Sequence, residues 1–232
     1  MKQRLAEALS ECSAFLQVAL DSLSLSDALR VARALPESRE VVVEAGTPLV
    51  KAWGMASVRA LRSSRPWSLL VVDTKTVDAA RLEAESVASA GGDAFTVLAS
   101  ASEETLRSAV EAARELGLGV YADTIAVRDP FEAAQRVSDF GVDVVIVHVG
   151  IDVQRSLGLR ASSLVDVVKK LAETVKPPVA VAGGIKPREA GVLAEAGARV
   201  IVIGSAIVKS GDPKRAALEA LESLREAGAR CR

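Results

Sequence analysis

Two carboxylates and an ammonium stand within six positions in VVDTKTVDAA, residues 71 to 80, where an apolar run ends in Asp73, Lys75 and Asp78. Residues two apart in an extended chain point the same way, so Asp73 and Lys75 share a face, and Asp78 follows after enough residues for the chain to turn back. Flanking carboxylates keep a partly buried lysine charged. A protonated lysine fixed between acids in a water-poor pocket is suited to stabilising an oxyanion such as an enediolate. The competing reading is a structural ion pair, the default for such a cluster on an open surface.

Other ionisable residues also end apolar runs: Asp21 after LQVAL, Glu44 in VVVEAGTP, Asp123 in GVYAD, and His148, the single histidine, in IVHVG. An aspartate after a strand is commonly a helix cap, and a lone histidine is as often a hydrogen-bonded core residue as a catalyst. Glu44 is harder to explain, because an unpaired charge inside an apolar run is costly. It needs a partner, either an ion pair with a neighbouring strand or a site. Two glycine turns, VAGGIKP with Gly183 and Gly184 and VIGSAI with Gly204 and Ser205, offer backbone N–H groups that an anion can approach closely.

These residues must be positioned by something, and the chain supplies a regular alternation. Short β-branched runs occur at 16–20, 40–45, 68–72, 93–98, 119–123, 143–149, 178–182 and 199–204. They are continuously apolar, as parallel strands covered on both faces are. Between them, segments such as LSDALRVARAL and SEETLRSAVEAARELG carry apolar residues at three- and four-residue spacing, and several stop at glycine. Ser24 or Ser26, Ser102 and Pro187 stand where helix starts belong. An eightfold β-α alternation with no linker predicts one α/β domain, a (β/α)8 TIM barrel over 16–232, preceded by a helical extension over 1–15. A doubly wound open sheet is the competitor, but it would want a glycine-rich first turn, and LDSLSLSDA has none. In a barrel, Asp21, Glu44, Asp73, Lys75, Asp123 and His148 all converge on the C-terminal rim, and the glycine turns after strands 7 and 8 are its usual phosphate site.

Composition narrows the partners. With 29 basic against 30 acidic residues and a formal net charge of -1, the chain lacks the basic footprint of a nucleic-acid binder. Charges at Lys2, Arg4, Glu7 and Glu11 spoil a signal peptide or membrane span at the amino terminus, so a cytoplasmic protein is expected. Cys12 and Cys231 match no metal or redox spacing; reduced thiols are the simpler expectation, with a disulfide between the ends the less favoured one.

DTKTVDA, with VALD, VEAGTPLV, VIVHVGIDVQ, VAVAGGIKP and VIGSAI, resembles the 3-hexulose-6-phosphate synthase family of the orotidine 5'-monophosphate decarboxylase superfamily, from about residue 16 to about 215. The sibling 3-keto-L-gulonate 6-phosphate decarboxylases typically carry an Arg shortly after the strand 6 His and a Thr before the strand 7 glycines; Gly150 to Asp152 and Ala182 stand there. Orotidine monophosphate decarboxylase usually adds a Lys and an Arg where Glu44 and Ser205 stand. Ala80 replaces a glycine common in the family, and Thr74 a common leucine. The resemblance implies a reversible aldol condensation of formaldehyde with D-ribulose 5-phosphate, assisted by Mg²⁺ held by Glu44 and Asp73. It further implies that Lys75 stabilises an enediolate, that His148 carries the proton, and that Asp21 and Asp123 assist. Gly183, Gly184, Gly204 and Ser205 would take the phosphate, and Asp78 would reach into the partner's site in a homodimer with shared active sites. A sugar-phosphate decarboxylase and a non-catalytic sugar-phosphate sensor are the alternatives.

Overall fold

All eight β-rich runs form strands in the computed structural model, which describes residues 4–150, 152 and 164–231. They are β1 Phe15–Leu20, β2 Val41–Ala45, β3 Leu69–Thr76, β4 Ala94–Leu98, β5 Gly119–Asp123, β6 Val144–His148, β7 Val179–Ala182 and β8 Ala198–Ile203. Each pairs in parallel with the next, and β1 pairs with β8, so the sheet closes into the expected (β/α)8 barrel. The helices are α1 Arg4–Glu11, α2 Leu25–Ala34, α3 Thr47–Trp53, α4 Met55–Ser64, α5 Ala80–Ala90, α6 Glu103–Leu116, α7 Pro130–Ser138, α8 Val165–Thr174, α9 Ala190–Glu195, α10 Ser205–Val208 and α11 Pro213–Glu226. Ser24 and Ser102 cap α2 and α6, accepting from the amides of Asp27 and Thr105. Pro187 opens a 3-10 turn ahead of α9. Of the stretch HVGIDVQ, Ile151, Val153 and Gln154 lie outside the described residues.

Alternation along each strand sorts the apolar residues into two clusters. Val18, Val43, Val72 and Val181 face outward to the helices, whereas Phe15, Val42, Val71, Tyr121, Val144 and Val200 fill the barrel. The interior is a packed core, as barrels of this size require. Its base is stoppered by α1. Leu5 is buried there against Gly119, where a side chain would fall 2.3 Å from Leu5 Cδ2, and Arg4 pairs with Asp93 at 2.8 Å. Burying that leucine is worth about 1.5–3 kcal/mol.

The cysteine expectation is corrected here. Cys12 and Cys231 are joined in a disulfide. The segment between α1 and β1 meets the end of the described chain, where Cys12 and Cys231 form an antiparallel bridge and the amide of Ser13 donates to the Arg230 carbonyl at 3.0 Å. A pairing across 219 positions leaves no local spacing to read, and the bond withdraws the cysteine argument for a reducing compartment. Among the described residues no helix is long and apolar enough to cross a membrane.

Candidate active site

The strand ends deliver their polar side chains into one cavity of about 420 Å³, lined by Asp21, Glu44, Asp73, Lys75, Asp123 and His148. Gly183, Gly184, Gly204 and Ser205 line it as well. Every site residue expected from the sequence is therefore brought together except Asp78, which is exposed on the turn before α5 and is not part of this chain's cavity.

The end of β3 is where the backbone departs from regularity. Register with β4 shifts between Val72 and Thr76, and Lys75 sits at a φ of 47°, in the left-handed region that residues other than glycine seldom occupy. Such bulges re-aim side chains beside active sites. Thr96 of β4 holds the distortion from both sides: its hydroxyl accepts from the Lys75 amide at 2.8 Å and donates to Asp73 Oδ1 at 2.8 Å. Thr47, in the first turn of α3, donates to Asp73 Oδ2 at 2.5 Å. Ala80 already belongs to α5, and the residue at positive φ is Ala79, so an alanine at 80 meets no backbone obstacle.

Aimed this way, Lys75 Nζ lies 3.1 Å from Asp73 Oδ2 and 2.8 Å from Asp123 Oδ2. Burial works against the ammonium, yet the charges of Asp73 and Asp123 outweigh it and hold its pKa above the ordinary value. Asp123 is almost wholly buried and serves a second partner, His148, whose Nδ1 is 2.9 Å from the same Oδ2. Burial alone would raise the Asp123 carboxyl; the hydrogen bond and charge of His148, then the charge of Lys75, hold it down at about 2. With Nδ1 engaged by a carboxylate, Nδ1 carries the imidazole proton, leaving Nε2 as the basic atom for the cavity. Lysine and histidine are thus registered to each other through one aspartate.

The other side of the cavity is over-supplied with negative charge. Burial, then Asp73 and Asp21, push the Glu44 carboxyl well above the usual range. Asp21 keeps solvent contact at the mouth but is ringed by protein; burial first and the Asp73 charge second push it up to about 6, against the pull of Lys75, His148 and Lys209. Its carboxylate is wedged between two glycines: a Cβ on Gly46 would fall 2.0 Å from Oδ1, and one on Gly204 3.1 Å from Oδ2. Carboxylates that repel one another across a cavity suit a hard divalent cation, which takes oxygen ligands. Among the described residues no three His, Cys, Asp or Glu side chains form a complete metal cage. Glu44 and Asp73, on adjacent strands, are compatible with Mg²⁺, an ion that commonly keeps one or two carboxylates and completes its shell with substrate oxygens and water.

The glycine turns follow β7 and β8, the second of them beside Asp21. Gly183 and Gly184 adopt φ of 125° and 65°, which only glycine tolerates readily, and the first-turn amides of α10 follow Gly204. Lys209, just past α10, also lines the cavity and supplies a cation there. It escaped the sequence reading, as did Gly46, Thr47, Thr96 and a buried Gln17 that donates to Glu44 Oε2 at 2.6 Å. The phenol of Tyr121, in the barrel below, is raised by burial and next by the charge of Glu44.

Barrel and rim together define a class that most of the chain shares. Residues 14–220 match the Orotidine 5'-phosphate decarboxylase / HUMPS family, and the chain belongs to that family. Within it, the chain is 38% identical over 204 residues to the 3-hexulose-6-phosphate synthase of Mycobacterium gastri, covering 88% of this chain and 96% of that one. It is 37% identical over 212 residues to the bifunctional enzyme Fae/Hps of Methanococcoides burtonii, covering 90% of this chain; the chain spans about half, 53%, of that longer relative. A crystal structure of 3-hexulose-6-phosphate synthase superposes with a TM-score of 0.83 at 38% identity, over 92% of this chain and 99% of the other. A crystal structure of KGPDC from Streptococcus mutans superposes with a TM-score of 0.80 at 27% identity, over 93% and 99%.

Proposed function

We propose that the chain is a carbon-carbon lyase of the 3-hexulose-6-phosphate synthase type, joining formaldehyde to D-ribulose 5-phosphate in a reversible aldol reaction. The observation that carries this reading is the Lys75–Asp123–His148 chain of contacts, which places a permanent cation and a basic imidazole nitrogen in one cavity. An aldol step needs both: a base to remove a proton from the carbon beside a carbonyl, and a fixed positive charge where the enediolate oxygen develops. His148 Nε2 takes the C1 proton of the pentulose phosphate. Lys75 stabilises the enediolate oxygen. The C1 carbon then bonds to the formaldehyde carbon, and the former carbonyl oxygen of formaldehyde takes up the proton that His148 removed, giving a hex-3-ulose 6-phosphate and returning the imidazole to its neutral form.

Asp21, fixed between Gly46 and Gly204, orients a sugar hydroxyl, and the amides around Gly183, Gly184, Gly204 and Ser205 take the phosphate, with Lys209 balancing its charge. Glu44 and Asp73 would hold Mg²⁺, which when bound supplies a Lewis acid and offsets the crowded carboxylates. A homodimer with shared sites is part of the proposal. Asp78 is exposed next to the exposed Val77, and Leu82 in the first turn of α5, Leu23 between β1 and α2 and Trp53 at the end of α3 are exposed apolar residues as well. A second copy seated there would bury that surface and bring Asp78 to its cavity.

The test is direct. Purified protein with Mg²⁺ and ribulose 5-phosphate is expected to form a hexulose phosphate only when formaldehyde is added, and chelation is expected to abolish turnover. Release of CO₂ from 3-keto-L-gulonate 6-phosphate without aldol activity would assign the chain to the sibling decarboxylases. Tight sugar-phosphate binding without any turnover would make it a sensor.

A further inference from the structure

Gln17 interrupts the apolar run FLQVAL and is 1% exposed, in the packed interior of the barrel. Its neighbour on the same face of β1, Ala19, is in register with Glu44 of β2. The amide therefore lies one layer beneath the acid and reaches up to it, Nε2 donating to Glu44 Oε2 at 2.6 Å. Two further polar atoms remain in the same interior. Gln17 Oε1 and the Tyr121 hydroxyl are both buried and both without a hydrogen-bond partner among the described residues. Buried polar groups are nearly always satisfied, so two orphans in one packed barrel interior need an explanation.

Their chemistry is complementary, since one is an acceptor and the other a donor. β1 and β5 stand opposite each other in the closed eight-stranded sheet, and alternate strands contribute to the same interior layer. We infer that Gln17 is a positioning residue for Glu44, and that Tyr121 fixes the sense of the Gln17 amide by donating to Oε1 through one buried water. The inference rests on the proposed reading of Glu44 as a metal ligand. With Glu44 ionised, as a metal ligand must be, a reversed amide would set Oε1 against Glu44 Oε2, two acceptors face to face. With the amide fixed, one carboxylate oxygen is tied from below and Oε1 of Glu44 is left for the cavity it lines. A pure packing role does not account for this choice, because leucine or methionine would fill an apolar barrel without burying an amide.

The experiment measures Mn²⁺ affinity by calorimetry in the full-length protein, alongside thermal unfolding, for wild type, Gln17→Met and Tyr121→Phe. Partners that orient metal ligands typically change affinity about 10- to 100-fold when removed; Gln17→Met is expected to weaken Mn²⁺ binding by that factor while remaining folded. Tyr121→Phe removes one hydrogen bond and is expected to weaken it by about two- to tenfold. It nearly preserves side-chain shape, so it carries the test if Gln17→Met fails to fold. Unchanged Mn²⁺ affinity in the folded variants, with only a lower melting temperature, would mean that Gln17 is structural and would overturn the inference alone. A wild-type protein that binds no Mn²⁺ would overturn the metal reading and this inference with it.

Discussion

A lysine ammonium touching two carboxylates is ordinarily a structural device, and what sets Lys75 apart is the path from it through Asp123 to the only imidazole in the chain. A structural pair has no use for a histidine on the far side of its carboxylate. If Lys75 stabilises charge that develops only in the transition state, Lys75→Ala is expected to lower kcat by about two to three orders of magnitude with little change in circular dichroism. Near-normal turnover would return the cluster to a structural role. Asp21 supplies the pH dependence. Its carboxyl is raised from 3.8 to about 6 in the folded protein. A carboxyl raised on folding binds protons more readily in the native state, so its contribution to stability is fully present below the unfolded value and is lost as pH rises through about 6. In metal-free protein, Asp21→Asn is expected to raise the melting temperature at pH 8 more than at pH 4. Solvent at the mouth of the cavity screens part of the effect. Equal shifts at both pH values would show that Asp21 is not destabilised by its surroundings.

At the scale of elements, the strands were legible because parallel barrel strands are apolar on both faces, and the rim followed because charged residues stand out where such runs end. The bulge at the end of β3 was not. Extended alternation puts Asp73 and Lys75 on one face, and they do meet, but through a left-handed residue held by Thr96 rather than through a regular strand. Thr47, Thr96 and Gln17 were missed for a common reason: neutral polar side chains carry no charge signal, and their roles exist only through a partner on another element. Gly46 was missed because its φ of -65° is ordinary. What it provides is space. A methyl group there must displace the Asp21 carboxylate from a position 2.0 Å away, so Gly46→Ala is expected to raise KM for the pentulose phosphate with the barrel still folded. Gly204→Val, on the other side of Asp21, is expected to do the same and also to crowd the phosphate amides. Unchanged KM in both folded variants would remove Asp21 and the β8 turn from the substrate site.

At the scale of the molecule, two features join distant parts of the chain. The first is the Cys12–Cys231 disulfide, which ties the segment between α1 and β1 to the segment after α11 across 219 positions. Cross-linking so long a loop restricts the unfolded chain, and losing it typically costs about 2–5 kcal/mol. Cys231→Ser, followed by urea unfolding, is expected to show a loss of that order; identical midpoints would mean that the terminal contacts of Ser13 and Arg230 suffice. The second is the division of DTKTVDA between an inward Lys75 and an outward Asp78. If Asp78 serves the partner's cavity, Lys75→Ala and Asp78→Ala are each inactive as homodimers, because every site lacks one group. A mixed dimer pairs the chain lacking Lys75 with the chain lacking Asp78, so one site loses both residues and the other regains both. Random exchange makes about half the dimers mixed, each with one intact site of two, and recovers about a quarter of wild-type activity. A site contained within one chain predicts two inactive variants and no recovery on mixing, despite subunit exchange confirmed by differently tagged chains. That result would keep the chemistry of Lys75 and place Asp78 with its own chain.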